Sequence, residues 1–208
     1  MSHTIITIAR QYGSGGREIG EKVAKKMGIP FYDKDLIAMA AKQSGMSEEV
    51  FERADEKAAN SLLYSLMMGN YSLGGHISTV NEMPINDKLF LIQTNIIREV
   101  AEKGPCVIVG RCADYILREH KACMHVFVYA DKFSRMERII NKYDVDPAKA
   151  ADTLVKQDKQ RANYYNFYSN QKWGSKDNYH LMVDSSAFGI ENSVDLICSA
   201  VEMKENVR

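Results

Sequence analysis

Arg10, Gly13, Gly15, Gly16 and Arg17 fall within eight consecutive positions near the start of the chain, with Gln11, Tyr12 and Ser14 between them. Glycines this dense let backbone N–H groups close on an anion, and a guanidinium binds phosphate oxygens bidentately. The N–H groups of Gly13, Ser14, Gly15, Gly16 and Arg17 are therefore candidate holders of a polyphosphate. The residues before them, Ile5 to Ile8, form a β-branched run with the composition of a buried strand. From Arg17 onward the chain reads as a helix, whose first-turn N–H groups would point at the same anion. An ordinary strand–helix turn has the same glycines, so the two flanking arginines carry the distinction.

The stretch departs from the phosphate-loop pattern G-x-x-x-x-G-K-[ST]. Arg10 stands at the pattern's first Gly, Gly16 at its Lys and Arg17 at its hydroxyl residue. Arg17 is the cation inside the loop and is either a partial substitute for the Lys or a solvated helix-start residue. Arg10, at the strand end, is better placed to face the site; the alternative is a salt bridge across the sheet edge.

The 208 residues, 45% hydrophobic, suffice for one domain with a sizeable core, read as 1–208. Lys+Arg and Asp+Glu balance at 27 each, so any positive field must be local and nucleic acid is disfavoured as a bulk partner. Cys106, Cys112, Cys123 and Cys198 lack metal-ligand spacing and read as reduced, mostly buried thiols of a cytoplasmic protein. The short N-terminal apolar run does not read as a secretory leader, and no run is long enough for a membrane span. The five histidines show no ligand spacing, and no metal ligands are assigned.

Several elements must position these residues. A helix is expected over 17–27 with Gly28 as its C-cap, then a short extended Phe31-Tyr32. Asp33 either caps a helix to about Lys42 or contributes to the site. Ser47 opens a helix into Asn60, a further piece covers 61–68, and 69–84 reads as a loop. A helix over 86–103 precedes the strand 106–109. Residues 112–120 look helical, 124–129 is a strand, and Asp131 caps a basic helix with Arg135 and Arg138. Asp146-Pro147 starts a helix running past Arg161. The loop 170–178 holds Trp173, a strand covers 179–183, and a helix runs from Ile190 to about Met203.

Strands alternating with helices imply a parallel sheet with right-handed crossovers, and ligands of such sheets bind at the carboxyl ends of the strands. The residues just past those ends are Arg10 to Arg17, Gly110-Arg111, Asp131 and Asp184. Each of these places carries Arg or Asp, which suits phosphate or metal chemistry.

Assembled, these residues resemble the cytidylate kinase-like family of nucleoside monophosphate kinases. The likeness covers nearly the whole chain and lies in Ile8-Ala9-Arg10-Gln11-Tyr12-Gly13-Ser14-Gly15-Gly16-Arg17-Glu18-Ile19, Ile29 to Lys34, Val109-Gly110-Arg111, Asp158 to Arg161 and Asp184-Ser185-Ser186. It implies a three-layer α/β P-loop kinase-like fold, a parallel sheet flanked by helices, with a helical acceptor-binding insertion at about 33–85 and a lid at about 146–178. It implies transfer of the ATP γ-phosphoryl group, with Mg2+, to a nucleoside monophosphate, most simply a CMP-like acceptor. Arg10, Arg17, Arg161 and Asp158 would then be the catalytic group, with Asp158 orienting Arg161 by an ion pair. Asp33, Lys34 and Arg111 would contact the acceptor. Leu154 stands where the lid of cytidylate kinases carries a further Arg, four residues before Asp158.

Two other readings stay open. One is a small-molecule kinase with a non-nucleotide acceptor; the other is a nucleotide-binding sensor without turnover, motivated by the missing Lys and hydroxyl. Arg135 and Arg138, three apart on one helix, suggest a structural ion pair for at least one. Tyr164, Tyr165, Phe167 and Tyr168 read as packing against the lid or a partner subunit, which leaves a homo-oligomer open.

Overall fold

The computed structural model describes residues 4–33 and 85–207, with isolated helical positions at 36, 38, 39 and 42. Lys34, the remaining positions of the helix expected to about Lys42, the helices expected from Ser47 to 68 and the loop 69–84 lie outside these. The chain divides into two compact units, one of residues 34–96 and one of residues 1–33 and 97–208.

The second unit is built on five strands: β1 (Ile5–Arg10), β2 (Phe31–Tyr32), β3 (Val107–Val109), β4 (Cys123–Tyr129) and β5 (Leu181–Asp184). All pair in parallel, in the order β2-β3-β1-β4-β5. The helices are α1 (Gly16–Met27), α2 (Ile85–Lys103), α3 (Ala113–Ile116), α4 (Lys132–Tyr143), α5 (Ala150–Ser169) and α6 (Ser185–Asn206). The helix α2 begins in the first unit and ends in the second.

Alternation decides what each strand residue meets. Ile6 and Ile8 of β1, Val107 and Val109 of β3, and Val126 and Val128 of β4 share one face. They pack on Ile19 and Val23 of α1 and Val194, Ile197 and Val201 of α6, all at most 3% exposed. The next residues in register, Thr7, Ala9, His125 and Phe127, face the other way. There Phe127 meets Trp173 edge-on at 5.4 Å and Tyr179 at 4.9 Å, so Trp173 is a local anchor. Thr7 Oγ1 bonds His125 Nδ1 at 2.8 Å, which satisfies both polar groups inside the sheet layer.

Element ends follow the expected caps in part. Asp131 accepts Ser134 N–H and starts α4, and Asp146 accepts Ala148 N–H before a short 3-10 turn leads into α5. The expected helix at 112–120 is a single turn, because Arg111 and Cys112 before it are left-handed and turns occupy 117–119 and 121–122. The last helix runs on from Ile190 as expected, and a short helical piece from Ser185 precedes it. Asp184 caps it by accepting from Ser186 N and Ala187 N, and the helix breaks at Gly189 (φ 71, ψ 174).

Candidate active site

The order β3-β1-β4 places the chain reversal of the sheet at β1, and the residues after β1 form the loop there. Gln11 N–H continues the pairing to Val128 O at 3.0 Å, and the Gln11 side chain accepts Ala130 N–H at 3.2 Å. Ser14 Oγ donates to Gln11 O at 2.9 Å, and Ser185 Oγ donates to Ser14 O at 2.6 Å. Thus β4 and the start of α6 brace the loop from outside. At Gly16 a Cβ would stand 2.5 Å from Arg10 Cβ. Only glycine lets α1 start this close to the end of β1, and that closeness brings the first N–H groups of α1 to the strand end.

Arg10 lies inward. Its guanidinium rests against Gly110, where a Cβ would fall on Nη1, and Gly110 also holds φ 76. Gly110, Arg111 (φ 58) and Cys112 (φ 54) are three successive left-handed residues, a conformation that costs energy at the two non-glycines. This turn carries Arg111 past the end of β3. Burial pushes the Arg10 pKa down to about 9, and the charges of Arg161 and Arg111 push the same way. Asp33 acts in the opposite sense, 4.0 Å from Arg10 Nη2. Burial also lowers Arg161, against the opposing pull of Asp158. Arg161 and Arg111 thus add like charge around Arg10, and Asp33 partly offsets it, a local excess of positive charge in a chain of zero net charge.

Arg17 meets the same carboxylate from the helix side. Its Nε donates to Asp33 at 2.6 Å and its Nη1 lies 3.5 Å from Glu21, with the side chain 53% exposed. The hydrogen bond to Asp33 raises its pKa. Arg17 thus reaches back across the start of α1 to the end of β2.

The arginines of α4 are both paired: Arg138 and Lys142 with Glu18, and Arg135 with Asp158. The ion pair of Asp158 is thus with Arg135, not with Arg161 as the sequence suggested. Arg161 instead donates from Nη1 to Arg10 O at 3.0 Å, and its guanidinium lies 5.4 Å from the centre of the Tyr12 ring.

Magnesium is tested by the donor set. Among the described residues no group of three or more His, Cys, Asp or Glu converges. Asp33, Asp131 and Asp184 stand singly at strand ends, and the last two cap helices. Such a set fits a magnesium ion that arrives with ATP and keeps phosphate and water as its main ligands.

Sequence reasoning did not single out the side chain of Gln11 or the packing role of Gly110. Neither leaves a local signal, because each acts on a residue far away in the chain.

A parallel sheet of this strand order, flanked by helices, with a glycine loop after its central strand, is the P-loop kinase fold. The profile of the cytidylate kinase-like family matches residues 5–187. A cytidylate kinase from Archaeoglobus fulgidus is 27% identical over 205 residues, covering 96% of each chain. The crystal structure of an uncharacterised protein from Eubacterium ventriosum is similar at a TM-score of 0.70 and 27% identity, covering 96% of this chain and 98% of that one. A shikimate kinase from Bacteroides thetaiotaomicron shares the fold at a TM-score of 0.56 and 15% identity, over 96% and 98% of the two chains. The chain belongs to the cytidylate kinase-like family. With that family goes its activity class, ATP-dependent phosphotransfer.

Proposed function

We propose that the protein transfers the γ-phosphoryl group of ATP to a nucleoside monophosphate, with a cytidylate-like acceptor. The observation that carries this reading is the buried Arg10 guanidinium beside the glycine loop, with Arg161 donating to Arg10 O at 3.0 Å, Arg111 adding a like charge, and Asp33 4.0 Å away as the offsetting carboxylate. One polyphosphate on the loop and one phosphate on the acceptor side would supply the negative charge this cluster lacks.

In the proposed reaction an acceptor phosphate oxygen attacks the γ-phosphorus, the bond to the β-phosphate oxygen breaks, and ADP leaves. Little covalent chemistry falls to the protein, which must align the reactants and neutralise the transferring group. Gly13, Ser14, Gly15, Gly16 and Arg17 hold the donor phosphates through backbone N–H groups. Arg10 and Arg161 face the transferring group, and Arg111 with Asp33 and Lys34 holds the acceptor. The charge shielding of the polyphosphate would be supplied by magnesium arriving with ATP. Residues at about 33–85 would form the acceptor-binding insertion and those at about 146–178 the lid, as the family resemblance implies. The four buried cysteines fit a reducing compartment, so we place the protein in the cytoplasm.

The test is ADP release from ATP–magnesium with CMP, dCMP, UMP, AMP, GMP and small hydroxyl compounds as acceptors. Turnover with a pyrimidine monophosphate supports the proposal. Turnover only with a hydroxyl compound moves the acceptor class to small molecules. A rise in melting temperature with ATP and no turnover with any acceptor favours a nucleotide sensor, which the absence of a loop Lys would explain.

A further inference from the structure

The phosphate loop is gripped at Tyr12 by a charge pair. Asp158 of α5 accepts Tyr12 N–H at 2.8 Å with Oδ1 and pairs through Oδ2 with Arg135 of α4. Arg135 Nε in turn donates to Tyr12 O at 2.8 Å. The N–H and the carbonyl of one loop residue are thus both engaged by the two partners of one ion pair. Arg135 is 7% exposed, so neither partner can lose the other without leaving a charge in a poorly solvated place. Beneath the pair, Ile139, Ala150 and Leu154 pack with Tyr12, Met136, Ile140 and Val145, which holds α4 and α5 together under the loop.

We infer that Asp158 and Arg135 are positioning residues for the donor phosphates, acting through the Tyr12 backbone and touching neither substrate. The inference rests on the phosphotransfer reading. Both oxygens of Asp158 are committed within the protein, and a carboxylate turned toward a polyphosphate would repel it. Held at Tyr12, the chain enters Gly13 to Gly16 on a set course, so the loop N–H groups do not have to be ordered when the nucleotide binds. Arg161, three residues beyond Asp158 on α5, is carried by the same helix onto Arg10 O and the Tyr12 ring. The pair therefore sets the loop and the approach of Arg161 together.

The test uses the full chain and the variants Asp158→Asn, Asp158→Glu and Arg135→Lys. Asp158→Asn keeps an acceptor for Tyr12 N–H and removes the charge facing Arg135. Arg135→Lys keeps the charge and removes the Nε donor to Tyr12 O. Amide hydrogen exchange is followed across residues 11–17 and across β4, alongside binding of inorganic tripolyphosphate and ATP and the KM for the acceptor. The expected result is faster exchange at 11–17 with β4 unchanged, and tripolyphosphate and ATP affinity lower by about tenfold, a free-energy change of one ordinary interaction. The acceptor KM stays within about twofold, and Asp158→Asn combined with Arg135→Lys costs less than the two single losses multiplied, as coupled partners do. Unchanged loop exchange in all three variants overturns the inference. So does a raised acceptor KM with ATP affinity intact, which would place Asp158 in contact with the acceptor. If the parent protein bound neither ATP nor tripolyphosphate, the phosphotransfer reading would fail, and loop exchange alone would judge the grip on Tyr12.

Discussion

Gly110 shows how one residue controls a charge it does not carry. Its missing Cβ is the space that the Arg10 guanidinium fills, and its φ of 76 starts the left-handed turn that carries Arg111. Gly110→Ala is expected to displace Arg10 and strain the turn at once, the strain alone costing about 1–2 kcal/mol. Steady-state kinetics should show the acceptor KM rising by more than about tenfold while the β4 core stays folded by circular dichroism. Arg111→Ala should weaken acceptor use far more than ATP binding; equal losses in both would remove Arg111 from the acceptor side. Arg17→Ala should change ATP affinity less than Arg10→Ala, because Arg17 is half-exposed and engaged by Asp33 and Glu21. Titration with a fluorescent ATP analogue ranks the two. The spacing of Arg10, Gly13 and Arg17 made the proposed phosphate chemistry legible in the sequence. Which arginine turns inward was not, since it depends on where Asp33 and Gly110 sit in space.

The elements beneath the loop are α4 and α5. Ile139, 0% exposed, joins them to Tyr12 and lies where a Cβ on Gly13 would stand 2.9 Å from its Cγ2. Ile139→Ala should cost about 2–5 kcal/mol, the range for large-to-small core changes. Urea unfolding is the measurement, with the midpoint falling and the slope unchanged. The loop should also exchange its amides faster in this variant, since α4 loses its packing against α5. Local signals gave the starts of these helices: Asp131 caps one, and Asp146-Pro147 leads into the other. Their partners, Glu18 for Arg138 and Asp158 for Arg135, are 120 and 23 residues away in the chain, beyond any helical spacing rule.

Across the whole molecule, two buried groups oppose each other as pH changes. Burial holds the His125 pKa down at about 4, with the charges of His180, Lys204 and His120 acting the same way. Folding favours its neutral form, so its contribution is complete above the unfolded pKa of 6.5 and is lost as pH falls toward 4. Burial raises the Asp114 carboxyl to about 6, against the lowering effect of Tyr165 and nearby backbone N–H groups. Its protonated form is favoured by folding, so its contribution is complete below the unfolded value of 3.8 and is lost as pH rises through about 6. Each effect is about 3 kcal/mol in size and the two largely cancel between pH 4 and 6. Relative to the parent, Asp114→Asn should therefore show stability rising more steeply with pH across that window, and His125→Gln the reverse. Urea midpoints at half-unit pH steps would reveal either slope, and parallel curves for parent and variants would refute both.

By itself the sequence determined the parallel α/β architecture, and it pointed to residues 10–17 as the candidate phosphate loop. Strand composition, helix period, caps and glycine spacing are all short-range, and they act within a few residues of one another. It did not reveal that Tyr12 is held by Arg135 and Asp158, that Arg10 rests on Gly110, or that Thr7 and His125 satisfy each other inside the sheet. The tertiary structure decided these, because parallel strands joined by crossovers bring together residues about 100 or more positions apart. A buried charge or hydroxyl takes whichever partner that register sets beside it.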